Sequence, residues 1–480
     1  MKYSPIQFAS TDVLGDVVIH LIAIKGDIAR IALPEGIATK LKEKIGKDEL
    51  VYVLPTETGT TIVVKAKLEE ETSYRNQAYR ALGAKVRALL ATDGVVEATL
   101  INSGGIKKEY ILQVCEGLAL ANYQFLRYKT GDKAKPTSLK TLNVSDLSIG
   151  QDDLDELANL VSATCYTRDL VNEPPAVLTA TELSKRISKL GEKSNFSVKV
   201  LDKKDIIKLG MGGLLGVNKG SVEPPTFTIL EYKPDGAINS HPMVFVGKGV
   251  TYDTGGYDIK HGGNMKGMKC DMAGAAAVVG SITAIATNRL PVHVVGLIPA
   301  TDNRIDGQAT VADDVLIMMS GATVEVQNTD AEGRLILGDA LHYAKQYEPE
   351  LVIDLATLTG AAARITAHHG SAMCADKAPQ KELLIRSGEE VYERLMEFPM
   401  WREFHDAIKS DVADIKNIGG AAGGNITAAT FLHHFTDYPW IHLDIAGPSI
   451  MESDTDYRVK GATGVGVRLL YQFARNYANG

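Results

Sequence analysis

The chain has 480 residues, of which 45% are hydrophobic and 23% charged, with a formal net charge of −8. This composition excludes disordered and fibrous proteins, and no apolar run is long enough to span a membrane. Residues 1–150 carry a net charge of +3 and the remainder −11, which disfavours bulk nucleic-acid binding. Four scattered cysteines without a CxxC pair, and an N-terminus without signal-peptide character, predict a cytoplasmic protein.

The N-terminal part alternates strand-like and helix-like segments. The predicted strands are 17–24, 50–54 and 61–67, and the predicted helices are 74–92 and 117–128. A further helix over 152–170 must end before Pro174 and Pro175. We therefore predict a smaller α/β domain over residues 1–150, a linker helix over 151–175 and a larger domain over 176–480.

The C-terminal part also alternates short apolar runs with helical segments. The predicted strands are 226–232, 243–246, 292–298, 351–355 and 441–445, and the predicted helices are 274–287, 335–346 and 381–397. Such alternation predicts an α/β domain with a mixed central sheet flanked by helices. Ligands bind at the carboxyl ends of the strands in such sheets, and the polar motifs of this chain fall there.

The first polar cluster follows the predicted strand 243–246. It is rich in glycine and places Lys248, Asp253 and Lys260 in one segment, with Asp271 shortly before the next helix. Glycines let a loop turn tightly and approach a ligand closely. The spacing leaves two interpretations open: a ligand-binding loop, or a polar loop in which Asp271 caps the helix.

The second cluster joins an alternating segment, 323–327, to the predicted helix 335–346. Asp330 and Glu332 are two residues apart, so one turn can direct both at a single ion, and Arg334 follows. The alternative is a capped helix with a local Glu332–Arg334 pair. Together the clusters offer oxygen ligands, and no histidine-rich pattern accompanies them. Mn²⁺ and other hard cations prefer oxygen ligands, and Zn²⁺ accepts them. Because clustered carboxylates repel each other, two metal ions would relieve the repulsion and suit hydrolysis.

The octapeptide NTDAEGRL at 328–335 resembles the signature of the leucyl aminopeptidase family, also called the cytosol aminopeptidases. The string VGKGVTYDTGG at 246–256 is similar to the family's other metal-binding segment. The remaining motifs follow in the family's order: LVNEPP (170–175), DLATLTGA (354–361), NIGGAAGGNITA (417–428), LDIAG (443–447) and GATG (461–464). The resemblance covers nearly all of residues 165–480, and an ordered set of this kind is very specific.

The resemblance implies a metal-dependent exopeptidase that removes the N-terminal residue of short peptides. The implied metal ligands are Lys248, Asp253, Asp271, Asp330 and Glu332. Asp253 and Glu332 would bridge two divalent ions, either Mn²⁺ or Zn²⁺, with Mg²⁺ as a further candidate. A metal-bridged water would be the nucleophile, while Lys260 stabilises the oxyanion and Arg334 holds bicarbonate as the general base.

The resemblance also implies a substrate pocket and an assembly. The pocket for the first side chain would be lined by Met268, Thr357, Gly360, Ala446 and Ser449. Where the family commonly has Val-Met, this chain has Pro448-Ser449, so we expect a preference that is broader than leucine or shifted from it. The family forms hexamers, which predicts a homohexamer here.

Two alternatives use the same scaffold. A catalytically inactive relative is disfavoured because all seven metal-binding and catalytic residues of the family pattern are retained. A regulator that binds DNA is disfavoured by the acidic second part of the chain, although first domains gathered in an oligomer would still offer a basic surface.

Overall fold

The computed structural model describes residues 6–11, 15–23, 39, 41, 51–56, 59–66, 71–137 and 139–480. The chain divides into two compact units. The first comprises Met1–Cys165, Glu390–Tyr392 and Glu452–Lys460, and the second comprises Tyr166–Glu389, Glu393–Met451 and Gly461–Gly480. Within the described ranges, every helix is too short or too polar to cross a bilayer.

The first unit contains a mixed sheet with six strands among the described residues. Strands β1 to β6 are Gln7–Ser10, Val17–Ala23, Val51–Thr56, Gly59–Ala66, Glu97–Asn102 and Thr141–Ser145. Their order is β1-β6-β5-β2-β4-β3, and the neighbours are parallel except for the antiparallel β3–β4 pair. β-Branched and leucine side chains of the central strands are buried in one hydrophobic core.

Two helices, α1 (Thr72–Thr92) and α2 (Lys108–Ala121), share that core and approach each other closely. A Cβ atom on Gly117 would lie 2.0 Å from the Arg80 carbonyl oxygen, so only glycine permits this contact. Beside it, Arg80 Nε and Glu116 Oε2 form a buried ion pair of 2.7 Å. The two helices are therefore joined by a backbone contact and by charge.

The predicted strands of this unit are confirmed as β2, β3 and β4, although Ile24, Leu50 and Lys67 lie outside the described residues. The predicted helix 74–92 is confirmed as α1. The predicted helix 117–128 is wrong in both limits, because Gly117 lies inside α2 as a packing residue and does not begin the helix. The helix ends before Asn122, whose side chain pairs with the backbone N–H and carbonyl of Leu139 at 3.0 and 2.9 Å.

The second unit, which is described throughout, contains a nine-stranded mixed sheet. In chain order, strands β7 to β20 are Ser197–Leu201, Thr226–Tyr232, Met243–Gly247, Gly249–Asp253, Val294–Asn303, Val315–Ile317, Thr323–Glu325, Leu351–Ala356, Ser371–Asp376, Leu395–Glu397, Ile415–Lys416, Trp440–Asp444, Ile450–Met451 and Gly461–Ala462. The main sheet has the order β16-β15-β18-β14-β9-β11-β8-β7, with β10 paired to β11. Strands β12, β13 and β17 form a small sheet, and β19 pairs with β20.

Strands β11, β9, β14 and β18 are adjacent, mutually parallel and buried along their whole length. Strands buried on both faces are continuous apolar runs, which explains why the sequence predicted β9, β14 and β18 to within one residue. The strand predicted over 292–298 is β11, which begins two residues later and continues to Asn303. Because they are parallel, the carboxyl ends of β9, β14 and β18 meet at one edge of the sheet. Strand β10, parallel to β11, ends at Asp253 opposite Asn303 after a register shift.

Helix α3 (Gln151–Asn172) begins in the first unit and ends in the second. The other helices, α4 to α13, are Ala180–Ser194, Lys203–Lys208, Gly212–Asn218, Ala273–Thr287, Glu332–Ala344, Gly360–Thr366, Lys381–Val391, Arg402–Ala407, Gly424–His433 and Val467–Ala478. Short 3-10 helices occupy Gly131–Ala134, Met268–Cys270 and Lys345–Tyr347. The predicted α/β class, with a mixed sheet in the larger part, is confirmed, while the domain limits 1–150, 151–175 and 176–480 stay predictions.

Two predicted helices of the second unit need correction. The helix predicted from Leu335 begins at Glu332, so the acidic side chain lies in the first turn, where the helix dipole favours negative charge. The helix predicted over 381–397 ends at Val391, because Tyr392 adopts the left-handed φ of 58°. The chain then continues as strand β16.

Replacing Gly117 with alanine should destabilise the first unit, because the new Cβ atom would overlap the Arg80 carbonyl and force α1 and α2 apart. Overpacking of this kind typically costs about 1–3 kcal/mol. Thermal unfolding followed by circular dichroism should show a lower midpoint. Gly150→Ala is the control, because its Cβ atom would meet nothing nearer than Asp153 Oδ2 at 3.8 Å. Equal midpoints for the two variants would contradict the close helix contact.

Candidate active site

A cavity of about 790 Å³ opens where the central strands of the second unit end. All twelve site residues predicted from the sequence line it. They are Lys248, Asp253, Lys260, Met268, Asp271, Asp330, Glu332, Arg334, Thr357, Gly360, Ala446 and Ser449. Residues from four separate segments of the sequence are thus brought to one concave surface, which is the usual shape of a ligand site.

Lys248 links the two polar clusters. It follows β9, and its Nζ lies 2.8 Å from Asp271 Oδ2 and 2.9 Å from Glu332 Oε1, with a hydrogen bond of 3.0 Å to the Thr357 carbonyl. The lysine and both carboxylates are almost completely buried. Its side chain passes over Gly333, where a Cβ atom would lie 2.4 Å from Lys248 Cε. The glycine of the octapeptide is therefore required by the position of this lysine.

Lys260 makes a second link. Its Nζ lies 2.7 Å from Asp253 Oδ2 and 2.6 Å from Asp330 Oδ1. The other oxygen of Asp253 accepts hydrogen bonds from the Gly255 N–H at 2.8 Å and from Asn303 Nδ2 at 2.9 Å. Asp253 is therefore held rigidly at the end of β10, and Lys260 lies between it and the octapeptide.

The carboxylates form a cluster suited to cations. One ligand oxygen from each of Asp253, Asp330 and Glu332 lies within 4.8 Å of the other two. Asp271 is connected to them through Lys248. Across the described part of the chain, no donor makes a well-oriented hydrogen bond to Asp271 Oδ2, Asp330 Oδ1 or Glu332 Oε1, whose contacts with the lysines are ion pairs. These oxygens are available as metal ligands.

Burial raises the pKa values of two carboxylates in the cluster. Burial raises the pKa of Asp271 well above its usual value, although Lys248 opposes the shift. Burial and the charge of Asp253 raise the pKa of Asp330 to about 6, again against the effect of a lysine. Divalent cations would supply the missing charge, so the residues present fit a metal centre.

Arg334 lies in the first turn of α8 and is buried. Its Nη1 donates a hydrogen bond of 2.6 Å to the Asn417 carbonyl, whereas its buried Nε has no hydrogen-bond partner among the described residues. Burial lowers the pKa of Arg334 to about 10, against the opposing effect of nearby carboxylates. A buried guanidinium with an unused donor is suited to binding a small anion.

Hydrogen bonds beneath the surface fix the walls of the predicted substrate pocket. Thr357 Oγ1 donates to Asp271 Oδ1 at 2.8 Å, which ties the pocket wall to the carboxylate cluster. Asp444 accepts from Leu358 N at 3.1 Å and from Thr359 Oγ1 at 2.7 Å. Ser449 is buried, and its hydroxyl donates to the Ala446 carbonyl at 3.2 Å.

Sequence reasoning gave no role to three residues that support the site. Asn303 donates to both Asp253 and the Thr329 carbonyl, and Asn417 joins the loop after β17 to Asn328 at 2.7 Å. Asp258 accepts from the Thr329 N–H at 2.7 Å and so connects the two metal-binding segments. Asn303 is the last residue of β11, a strand that is mostly apolar. A polar residue at the end of such a strand could have indicated this role from the sequence.

Fold and site together define an α/β protein whose main cavity holds an oxygen-rich candidate metal centre. Residues 165–471 match the catalytic domain of the cytosol aminopeptidase family. The chain belongs to this family of metal-dependent aminopeptidases, as its motifs indicated.

Relatives across nearly the whole chain agree. It is 40% identical to a probable cytosol aminopeptidase of Methylobacillus flagellatus over 94% of this chain and 91% of the relative. It is 41% identical to a probable cytosol aminopeptidase of Geobacter sulfurreducens over 82% of this chain and 80% of that relative. Among solved structures, it is similar to the bottromycin maturation enzyme BotP in complex with Mn, with a TM-score of 0.85, 30% identity and coverage of 96% and 99%. It is also similar to a mutant of tomato leucine aminopeptidase, with a TM-score of 0.84 and 27% identity. That match covers 98% of this chain and 96% of the tomato chain.

Replacing Gly333 with alanine should abolish most activity, because the Cβ atom would displace Lys248 from Asp271 and Glu332. A misplacement of about 1 Å in an active site costs on the order of 10²-fold in rate. The measurement is kcat/KM on a leucyl anilide, together with bound metal per chain. Gly307→Ala is the matched control, since a Cβ atom there meets nothing within 4 Å. Near-normal kcat/KM in Gly333→Ala would rule out the close Lys248–Gly333 contact.

Proposed function

We propose that this protein is an aminopeptidase with two metal ions that removes the N-terminal residue of short peptides. The observation that carries the proposal is the convergence of Asp253, Asp330 and Glu332, with oxygens within 4.8 Å of one another, on a large cavity. Family membership supplies the reaction class. The acidic cavity floor would attract the free amino group of a peptide, which limits cleavage to its first residue.

The exposure of the carboxylates suggests how the two ions would be shared. The residues that would hold them are Lys248, Asp253, Asp271, Asp330 and Glu332. Asp253 and Glu332 are both buried, and the family resemblance implies that they would serve both ions. Lys248 and Asp271 would complete an enclosed site, whereas the Asp330 side chain is 34% exposed and would complete the more exchangeable one. The similarity to BotP in complex with Mn favours Mn²⁺, with Zn²⁺ and Mg²⁺ as alternatives.

Lys248 must be neutral to coordinate a metal. In the cluster alone, burial lowers the pKa of Lys248, but Asp271, Glu332 and Asp253 raise it more, so the ammonium form dominates. With divalent cations at the same oxygens, electrostatic repulsion would favour the neutral amine. Metal binding would therefore release a proton from this lysine.

The catalytic assignment rests on the groups that face the cavity. Bound divalent cations supply Lewis acidity, which activates water and polarises a peptide carbonyl. Lys260, whose Nζ touches both Asp253 and Asp330, would donate a hydrogen bond to the oxyanion formed at the scissile carbonyl. Arg334, which lines the cavity, would hold bicarbonate, a general base.

The pocket residues Met268, Thr357, Gly360, Ala446 and Ser449 would receive the first side chain. Ser449 occupies the position where the family commonly has methionine, so a flexible apolar contact is missing. A preference broader than leucine, or shifted from it, follows from this loss. The homohexamer and the cytoplasmic location stay predictions, and DNA binding stays a disfavoured alternative.

Removal of metal should abolish hydrolysis of leucyl anilides, and Mn²⁺ or Zn²⁺ should restore it. Elemental analysis of the reactivated protein should find two divalent ions per chain. Asp330→Asn should lower the occupancy of the exchangeable site more than that of the enclosed one, because Asp330 does not contact Lys248. One ion per fully active chain would contradict the dinuclear proposal, and full activity without metal would contradict metal dependence.

Replacing Lys260 with alanine should lower kcat by about 10²–10³-fold, as when other oxyanion donors are lost. Metal content should be unchanged, because Lys260 is not proposed as a ligand and its removal leaves Asp253 and Asp330 free to bind. Lys266→Ala is the control, since this exposed lysine does not line the cavity. A fall in bound metal, or a kcat near that of the wild type, would remove Lys260 from the proposed role.

A further inference from the structure

Arg364 lies on the cavity wall beside the predicted pocket residue Gly360, and sequence reasoning gave it no role. It belongs to the short helix α9, which begins at Gly360, and it lines the same cavity as the carboxylate cluster. Its Nη1 would be 3.8 Å from a Cβ atom built on Gly360. Side chains on a helix lean toward its N-terminus, so the guanidinium extends back over the pocket.

The other cations of the cavity wall are engaged. Lys248 and Lys260 each pair with two carboxylates, and Arg334 donates to the Asn417 carbonyl. Among the described residues, Arg364 has neither an ion pair nor a hydrogen bond, and its side chain is exposed to the cavity. Asp258, which also lines the cavity, accepts hydrogen bonds from the Thr329 N–H and hydroxyl.

We propose that Arg364 is a specificity residue that binds a carboxylate of the peptide substrate. The inference rests on the proposed function, because it assigns a ligand to the same cavity. The chemistry is a guanidinium–carboxylate pair, which prefers a bidentate geometry. Two parts of a peptide offer that group: the C-terminal carboxylate of a dipeptide or tripeptide, and the side chain of an acidic first residue.

The distribution of charge in the cavity supports this assignment. The floor has an excess of carboxylates and attracts the amino end of a peptide, whereas the wall beside Gly360 has an unpaired positive charge. A short peptide with a free amino group and a free carboxylate would therefore be attracted both to the acidic floor and to the positively charged wall. A cavity of about 790 Å³ lies within the usual range for small ligands, so such a peptide fits.

The test compares pairs of substrates that differ only in one charge. Leucyl-glycine and leucyl-glycinamide report on the terminal carboxylate, and glutamyl and glutaminyl anilides report on the first side chain. We expect kcat/KM to be roughly tenfold higher for the acid member of one pair, mainly through KM, as for a partly exposed charged hydrogen bond. The pair that shows the preference identifies which carboxylate Arg364 binds.

Variants then assign the preference to this side chain. Arg364→Met should reduce the acid-to-amide ratio to about one, Arg364→Lys should retain part of it, and Arg386→Met, at an exposed position outside the cavity, should leave it unchanged. Equal kcat/KM for both members of both pairs in the wild type, or a ratio that persists in Arg364→Met, would overturn the inference.

A binding measurement separates this inference from the proposed function. Calorimetric titration of each pair into the protein, with no turnover required, should show the same dependence on Arg364. If peptides bind with the carboxylate preference but are not hydrolysed in the presence of Mn²⁺, the inference stands and the proposed function fails. If they are hydrolysed without any preference in binding, the proposed function stands and the role of Arg364 is refuted.

Discussion

The buried ion-pair cluster around Lys248 is the interaction on which the rest of the second unit depends. Its ammonium group lies between Asp271 and Glu332, all three nearly inaccessible to solvent. Burying charge is costly unless partners lie close, and removing one partner of such a pair typically costs about 3–5 kcal/mol. The surrounding backbone must therefore hold these three side chains in place with or without bound cations.

The backbone meets that requirement through close packing. Gly333 leaves room for the lysine stem, and Gly274 allows helix α7 to approach β14, because a Cβ atom there would lie 2.0 Å from the Leu355 carbonyl. The Lys248 N–H donates to that same carbonyl at 3.0 Å, which fixes the lysine backbone against the neighbouring strand. The position of the charged groups is thus set by helix–strand contacts that tolerate no side chain.

The arrangement also brings side chains of opposite charge to one cavity. Carboxylates at the end of β10 and at the start of α8 make the floor attractive to cations, whereas Arg334 adds a guanidinium to the lining of the same cavity. Hydrogen bonds donated by Asn303 and Asn417, and one that Asp258 accepts, fix the segments that contribute these groups. Positioning of this kind lets binding groups act without reorganising during a reaction.

The sequence by itself determined the family and the α/β class, and it proposed the residues of the site, because motifs and apolar runs are local patterns. Every predicted site residue lines the cavity. Tertiary structure decided that α2 extends across Gly117, that Lys248 contacts Glu332 84 residues away, and that Arg364 stays unpaired among the described residues. The spacing of residues along the chain indicates only local periodicity. These features depend on sheet register and on helix contacts between distant segments, which no local pattern encodes.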